Sequence, residues 1–404
     1  MKIAIIGAGA SGMAAAITAA ASGVNQILLL ERQARVGRKL AATGNGRCNL
    51  TNRHANPNRY HGNHPDFVRP ALEAFPPEAV LRFFQELGLY TVTEDDGKVY
   101  PYSDQANSVV DVLRFGLNRP NLQLLAGTEI VSVKKSAAGF HLKASDGQSW
   151  DAEALIVACG GAAGTKLGGG LSGYQLLRSL GHHCTKLSPS LVQLKSDPAL
   201  VQGLKGVRAN AALRLTVNDS LLAQSWGEVQ FTDYGISGPA VFELSRSAAT
   251  AEHSVLHLDL LPGYASDELL SALCIRVSRF PSLEAGDLLT GILHNRLGKM
   301  LVRFCGISLS APLTTLNWNQ LNAVVEICHS FVLPITGHMG MDGAQVTAGG
   351  IVTQEFHADT MQSRIVPGLF ACGEVLDIDG DCGGFNLQWA WASGMLAGQL
   401  KGLL

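Results

Sequence analysis

The chain opens with an apolar run, Ile3-Ala4-Ile5-Ile6, followed by glycines at 7, 9 and 12 and a small-residue stretch from Met13 to Ser22. After Gly23 a second apolar run, Ile27 to Leu30, closes on Glu31. Short apolar runs bounded by turn residues are the pattern of strands buried on both faces. The pattern therefore predicts strand, glycine turn, helix, strand. Ala154 to Val157, stopping at Ala158-Cys159-Gly160-Gly161, reads as a further buried strand, and Leu369 to Ala371 as another. Strand signals also fall at Leu122 to Leu125, Glu129 to Val133 and Phe140 to Ala144, the last before the turn Ser145-Asp146-Gly147. Helical spacing follows Pro76-Pro77-Glu78, with Val80, Leu81, Phe83, Phe84 and Leu87 apolar and Gly88 as the stop. It returns from Tyr174 to Leu180 and again after Gly383-Gly384.

Between 188 and about 260 the period changes. Ala212 to Val217 and Val255 to Leu260 alternate apolar and polar residues, which predicts an antiparallel sheet. From Pro262 to about 330 the Leu-rich segments 267–274, 287–304 and 319–328 predict helices. The expected fold class is α/β. A Rossmann-like domain of 1–187 and 344–404 is interrupted by an inserted antiparallel β domain (188–261 and 331–343) that carries a helical subdomain (262–330).

The first thirty-one residues hold the most specific chemistry. In Gly7-x-Gly9-x-x-Gly12, Gly7 permits the tight turn, Gly9 lets the backbone approach a pyrophosphate, and Gly12 lets helix and strand pack closely. Phosphates then meet the unpaired N–H groups and positive dipole end of a helix. Glu31, nineteen residues beyond Gly12, is placed to accept hydrogen bonds from a ribose. A secretion signal is the alternative, but the chain has no basic n-region and its glycines have nucleotide-turn spacing. Arg32, Arg35, Arg38 and Lys39 then precede a loop rich in glycine and asparagine that runs to Asn52. Loops this long in compact domains are usually functional, and cations here suit phosphates; the alternative is a solvated loop. A second glycine patch, Gly164 to Gly173, lacks a downstream acid and reads as a loop packing near the first site.

Composition narrows the function classes. Lys and Arg number 31 against 33 Asp and Glu, so the net charge is −2 and no dedicated nucleic-acid surface is expected. No apolar run reaches the ~18 residues of a membrane span. The 8 cysteines show no CxxC pair or zinc spacing, which implies reduced thiols in a cytoplasmic protein. His54, His61 and His64 lack acidic or thiol partners at ligand spacing, so no metal is expected.

These motifs, in this order, resemble the two-domain FAD flavoproteins of the glutathione-reductase type. More narrowly, GRKLAATGNGRCNLTN (37–52), GKVYP (97–101), FTDYGISGPA (231–240), QVTAGGI (345–351), TMQSRIVPGLFACGEVLDIDG (360–380) and GGFNLQWAWASG (383–394) are similar to the HI0933-type flavoprotein family. That family includes NAD(P)/FAD-dependent oxidoreductases, aminoacetone oxidase-like enzymes and bile-acid reductases. The resemblance implies that Gly7, Gly9, Ser11 and Gly12 hold the FAD diphosphate and that Glu31 and Arg32 take the adenosine ribose. It places Arg38, Lys39, Asn45, Arg47 and Asn49 along the flavin and the Val131 backbone at adenine. Gly373, Glu374 and Asp379 would lie at the ribityl chain and diphosphate. Asn386, Leu387 and Gln388 would offer backbone N–H groups to the isoalloxazine N1/O2 edge, where a helix N-terminus stabilises the reduced flavin.

The expected activity is NAD(P)H-linked reduction of a small organic substrate through flavin N5. With one dinucleotide fingerprint, NAD(P)H would bind transiently. No catalytic side chain is assigned; Cys48 and Cys372 lack the spacing of a disulfide reductase. Two alternatives stay open: an oxidase returning electrons to oxygen, and a non-catalytic module stabilised by FAD. The segment from Tyr234 to Pro239 divides the readings, according to whether it faces the flavin or solvent.

Overall fold

In a computed structural model describing residues 1–403, the first apolar run is the strand Lys2–Ile6, at the centre of a five-stranded parallel sheet. Leu369–Ala371 and Ala154–Val157 lie on one side of it, Gln26–Glu31 and Leu122–Ala126 on the other. Ile3, Ala4 and Ile5 are at most 1% exposed, because both faces of the sheet are covered. The glycines and the small-residue stretch form the helix Ala10–Ala20. Its composition is explained by its neighbour, the C-terminal helix Phe385–Gly398. A Cβ on Gly394 would lie 2.3 Å from the Ser11 carbonyl oxygen, and one on Gly398 would lie 2.5 Å from that of Ala15. Only small residues allow that approach.

The chain divides into two units, Met1–Pro189 with Ala344–Leu404, and Ser190–Gly343. The second is built on a seven-stranded antiparallel sheet. Its longest strands, Arg208–Val217 and Ser220–Phe231, are joined through Asn218 and Asp219, both at positive φ (49° and 62°). A two-residue turn of that hand matches the twist of the strands. The helices Ser266–Arg279, Asn295–Phe304 and Trp318–His329 share one core with this sheet, Leu273, Leu301 and Val324 packing in the same cluster as Leu213, Phe231 and Leu256.

Two local expectations change. The helix Pro239–Ala248 falls inside the stretch read as sheet; Gly238 (φ 109°) breaks the strand and Pro239 opens the helix. The Leu-rich segment 287–304 is helical only from Asn295, because Gly291 (φ 81°) interrupts it and the His294 ring caps the start by accepting from the Arg296 N–H at 3.2 Å. The Tyr234 to Pro239 segment is neither a free loop nor a tip: Ile236 and Ser237 are buried, and the Tyr234 hydroxyl donates to Gln193 at 3.0 Å.

Next to the edge strand Leu369–Ala371, whose Leu369 carbonyl accepts from the Ser363 N–H at 2.8 Å, lies a buried polar chain. The Ser363 hydroxyl and His182 Nε2 are 3.0 Å apart, and His182 Nδ1 meets Glu355 at 2.8 Å. Burial holds His182 below its ordinary value of 6.5, although Glu355 opposes the shift. Burial pushes Glu355 up, but hydrogen bonds from His183 and His182 prevail and hold it below 4.5. Both groups therefore bind fewer protons folded than unfolded, so their contribution is present at neutral pH and is lost on acidification. The melting temperature is expected to fall between pH 7 and pH 5, and less steeply in His182→Gln. A variant profile parallel to the parent's would assign the acid sensitivity elsewhere.

Among the described residues no helix is long and apolar enough to cross a membrane, and no group of three or more His, Cys, Asp or Glu is arranged to hold a metal.

Candidate functional site

The glycine turn forms a cradle. Gly7 has φ 102° and donates its N–H to the Leu30 carbonyl at 2.7 Å. A Cβ on Gly12 would lie 1.8 Å from the Gly7 carbonyl oxygen, so the first helix starts in contact with the turn. Gly9 caps that helix in an extended conformation, no side chain caps its N–H groups, and nothing lies within 4 Å of where a Cβ would point. Unpartnered donors facing open space at a helix N-terminus suit a diphosphate. Ser11 is buried, with its hydroxyl 2.5 Å from the Cβ position of Gly373 (φ 75°).

Glu31 stands at the tip of the second strand, held by the backbone. Its Oε2 accepts from the Ala8 N–H at 2.7 Å and its Oε1 from the Gln33 N–H at 2.8 Å. Arg32 donates to the Gly168 carbonyl, which brings the second glycine patch back to this tip. Val131 sits where the pairing of Ile130–Ser136 with Gly139–Ala144 slips by a residue, so its peptide groups stand outside that ladder.

Lys39 and Glu374 are joined across 335 residues, Nζ lying 2.8 Å from Oε2. Glu374 also accepts from the Thr347 N–H at 2.8 Å. A Cβ on Gly161, just past the strand Ala154–Val157, would meet Glu374 Oε1 at 2.3 Å, so this position favours glycine.

The C-terminal helix begins at Gly384 (φ 101°) without a side-chain cap. Asn386 clamps the preceding turn, its Oδ1 accepting from the Gly380 N–H and its Nδ2 donating to the Gly380 carbonyl, both at 2.8 Å. Asp379 is fully buried in the short strand Asp379–Gly380, paired with Tyr60–His61. Beside this helix start, Asn49 Oδ1 is buried with no hydrogen-bond partner, 2.7 Å from the Cβ position of Gly384. It is an acceptor waiting for a donor.

Two of the expected contributors have partners within the protein. The Gln388 N–H is already bonded to the Gly384 carbonyl at 3.0 Å, so the unpaired donors of this helix are those of its first turn, Leu387 and Asn386 among them. The Gln388 side chain instead bridges Thr51 (2.6 Å) and the Phe75 carbonyl (2.8 Å). Arg47 is matched by Asp104 and Glu94 and lies over the Tyr100 ring at 4.0 Å, so its charge is satisfied within the protein. Arg38 is exposed and bonds Gln33 at 3.0 Å, while Asn45 is an exposed left-handed residue (φ 55°) of the same loop. Sequence reasoning gave Thr347 and Lys98 no role although it quoted both motifs; neither shows a period or spacing that marks it. All eight cysteines are free, and burial pushes the thiols of Cys48, Cys159 and Cys372 up to about 12, which leaves them inert.

Comparison with known proteins places these features in context. The family model for the HI0933-like protein Rossmann domain matches residues 1–400. A 3-dehydro-bile acid delta(4,6)-reductase of Clostridium scindens is 41% identical over 98% of both chains. A ribosomal RNA dihydrouridine synthase of Escherichia coli is 30% identical, covering 98% of this chain and 96% of its own. Its Haemophilus influenzae counterpart is 28% identical over 96% and 95%.

Proposed function

The chain belongs to the HI0933-like family and is an FAD-dependent oxidoreductase; from that premise we propose that it reduces a carbon–carbon double bond conjugated to a carbonyl in a small organic molecule, with NADH or NADPH as the transient electron donor. The observation that carries the reading is the 41% identity, end to end, to a reductase whose name describes saturation of such bonds. Turning uridine into dihydrouridine saturates a bond of the same kind, a ring C=C beside a carbonyl, so the relatives share one reaction class.

FAD, when bound, supplies two-electron chemistry as hydride at N5. The chain's part is to bind and to polarise. Gly7, Gly9, Ser11 and Gly12 would hold the diphosphate, Glu31 and Arg32 the ribose, and the Val131 backbone the adenine. Arg38, Lys39, Asn45 and Asn49 would lie along the flavin, with Gly373, Glu374 and Asp379 near the ribityl chain. The orphan Asn49 acceptor and the open space beyond Gly9 both fit such a ligand. The first-turn N–H groups of the C-terminal helix, including those of Asn386 and Leu387, would stabilise negative charge on the reduced ring.

A second reading is favoured by the two rRNA-modifying relatives: the same pocket acting on a uracil in RNA. The net charge of −2 offers little non-specific affinity for a polyanion, which puts the small molecule first. The test is anaerobic. The purified protein is titrated with NADH and NADPH, then with a 3-keto-4,6-diene steroid or with rRNA lacking dihydrouridine. Bleaching by one nucleotide and return of colour with the steroid supports the proposal. Return only with RNA favours the second reading, and return only with oxygen makes the protein an oxidase.

A further inference from the structure

The GKVYP motif at 97–101 has no part in the reading above. Its strand, Lys98–Pro101, pairs with Thr51–Asn52, setting Lys98 opposite Asn52 and the fully buried Val99 opposite Thr51. This register brings Lys98 to the start of the C-terminal helix. Its Cε lies 3.3 Å from the Cβ position of Gly383, and Asn52 Nδ2 donates to the Gly383 carbonyl at 2.9 Å. The orphan Asn49 Oδ1 stands beside the next residue, Gly384. A fourteen-residue helix with an uncapped N-terminus, an ammonium and an unpaired acceptor thus converge on one spot. N–H donors and a cation next to an acceptor complement a ring edge that alternates carbonyl, N–H and carbonyl, as the dione edge of a flavin does.

Resting on the FAD reading, we propose that Lys98 is the cation that faces the dione edge of the bound cofactor and favours its reduction by countering the negative charge that gathers there. Two electrons and one proton taken up by the ring leave one negative charge on the N1/O2 side at neutral pH. An ammonium a few ångströms away lowers the energy of that charged form and not of the neutral oxidised one. Asp96 is the brake. It pairs with Lys98 but is 52% exposed, so it offsets only part of the field. Burial is the largest single influence and disfavours the Lys98 charge, yet the hydrogen bond to Asp96, the Asp96 charge and the nearby Tyr100 and Cys382 together outweigh it and hold the ammonium above its ordinary value, charged throughout the neutral range.

The test measures the reduction equilibrium of the holoprotein against a redox dye, alongside FAD affinity and melting temperature. Lys98→Met should shift the equilibrium toward the oxidised form by about tenfold, or about 30 mV for a two-electron couple, with FAD retained. Lys98→Arg should restore most of it. Asp96→Asn, at an exposed position that does not threaten folding, should shift the equilibrium the opposite way. A parent protein that binds no FAD defeats the premise. A parent that binds FAD while Lys98→Met and Asp96→Asn both match it within twofold defeats the role of Lys98 alone, and if Lys98→Met does not fold, an unshifted Asp96→Asn suffices.

Discussion

Gly12→Ala is expected to yield a protein that no longer retains FAD. A Cβ at this position would lie 1.8 Å from the Gly7 carbonyl oxygen, 2.9 Å from its carbon and 3.2 Å from the Ala158 Cβ. These are mostly backbone atoms of the turn itself, so relief requires the first helix to move away from the first strand. Overpacking a core typically costs about 1–3 kcal/mol, and here the displaced element is also the one whose N–H groups face the phosphates. FAD affinity should fall more than ~100-fold, which corresponds to about 2.7 kcal/mol, and the melting temperature should fall with it. Gly9→Ala separates the two effects. Its Cβ meets nothing within 4 Å, so that variant should fold as the parent does and lose affinity only because the methyl occupies the cradle. Flavin content after reconstitution and thermal unfolding read both. A Gly12→Ala protein carrying a full complement of FAD would show that this turn does not shape the site.

This contrast also shows which parts of the molecule the sequence could reveal. The glycine turn is legible because its constraints are local: Gly7, Gly12 and the strand before them fall within ten residues. The parallel strands are legible because burial on both faces leaves no polar position to blur the run, as in Ile3 to Ile6. The antiparallel sheet is legible from the alternation of Ala212 to Val217 and Val255 to Leu260, which lie in neighbouring strands. What escaped depends on partners far along the chain. Arg47 reads as a free cation along the flavin, and only the fold shows Glu94 and Asp104 set against it. Gln388 reads as a backbone donor to a ligand, and only the fold shows its N–H bonded to the Gly384 carbonyl and its side chain held by Thr51 and Phe75. Lys98 carries no periodic signal and gains meaning only when the register with Thr51–Asn52 sets it beside Gly383. The helix Pro239–Ala248 was hidden for another reason: it is a single short helix between strands, and its opening Gly-Pro reads equally well as a turn.

Trp391→Ala is expected to destabilise the protein more than any surface change and to weaken FAD binding as a consequence. Trp391 is fully buried, packs edge-on against Phe84 with ring centroids 5.0 Å apart, and donates its indole N–H to the Leu50 carbonyl at 2.8 Å. Truncating a buried tryptophan costs about 3–5 kcal/mol through lost burial and the cavity left behind. The Leu50 carbonyl would lose its donor as well, a further penalty of about 1–3 kcal/mol if water does not reach it. For a unit of this size the first figure alone corresponds to a fall of roughly 6–20 °C in melting temperature. The functional consequence follows from position. Leu50 is the residue after Asn49, and Trp391 lies on the helix whose first turn faces the same spot. Trp389, two residues earlier, ties that helix to the Gly373 carbonyl at 3.1 Å. Loosening the tryptophan anchor therefore loosens the orphan acceptor, the Lys98 neighbourhood and the helix N-terminus together. Trp391→Phe, which keeps most of the volume but not the donor, should lose much less stability. FAD in excess should recover part of the loss in both variants, since a ligand at one hundred times its Kd adds about 2.7 kcal/mol to the folded state. Recovery of melting temperature by FAD in the parent and in Trp391→Phe, but only weakly in Trp391→Ala, would show that the aromatic anchor and the cofactor cradle form one energetic unit. Equal FAD-induced shifts in all three would confine Trp391 to the core.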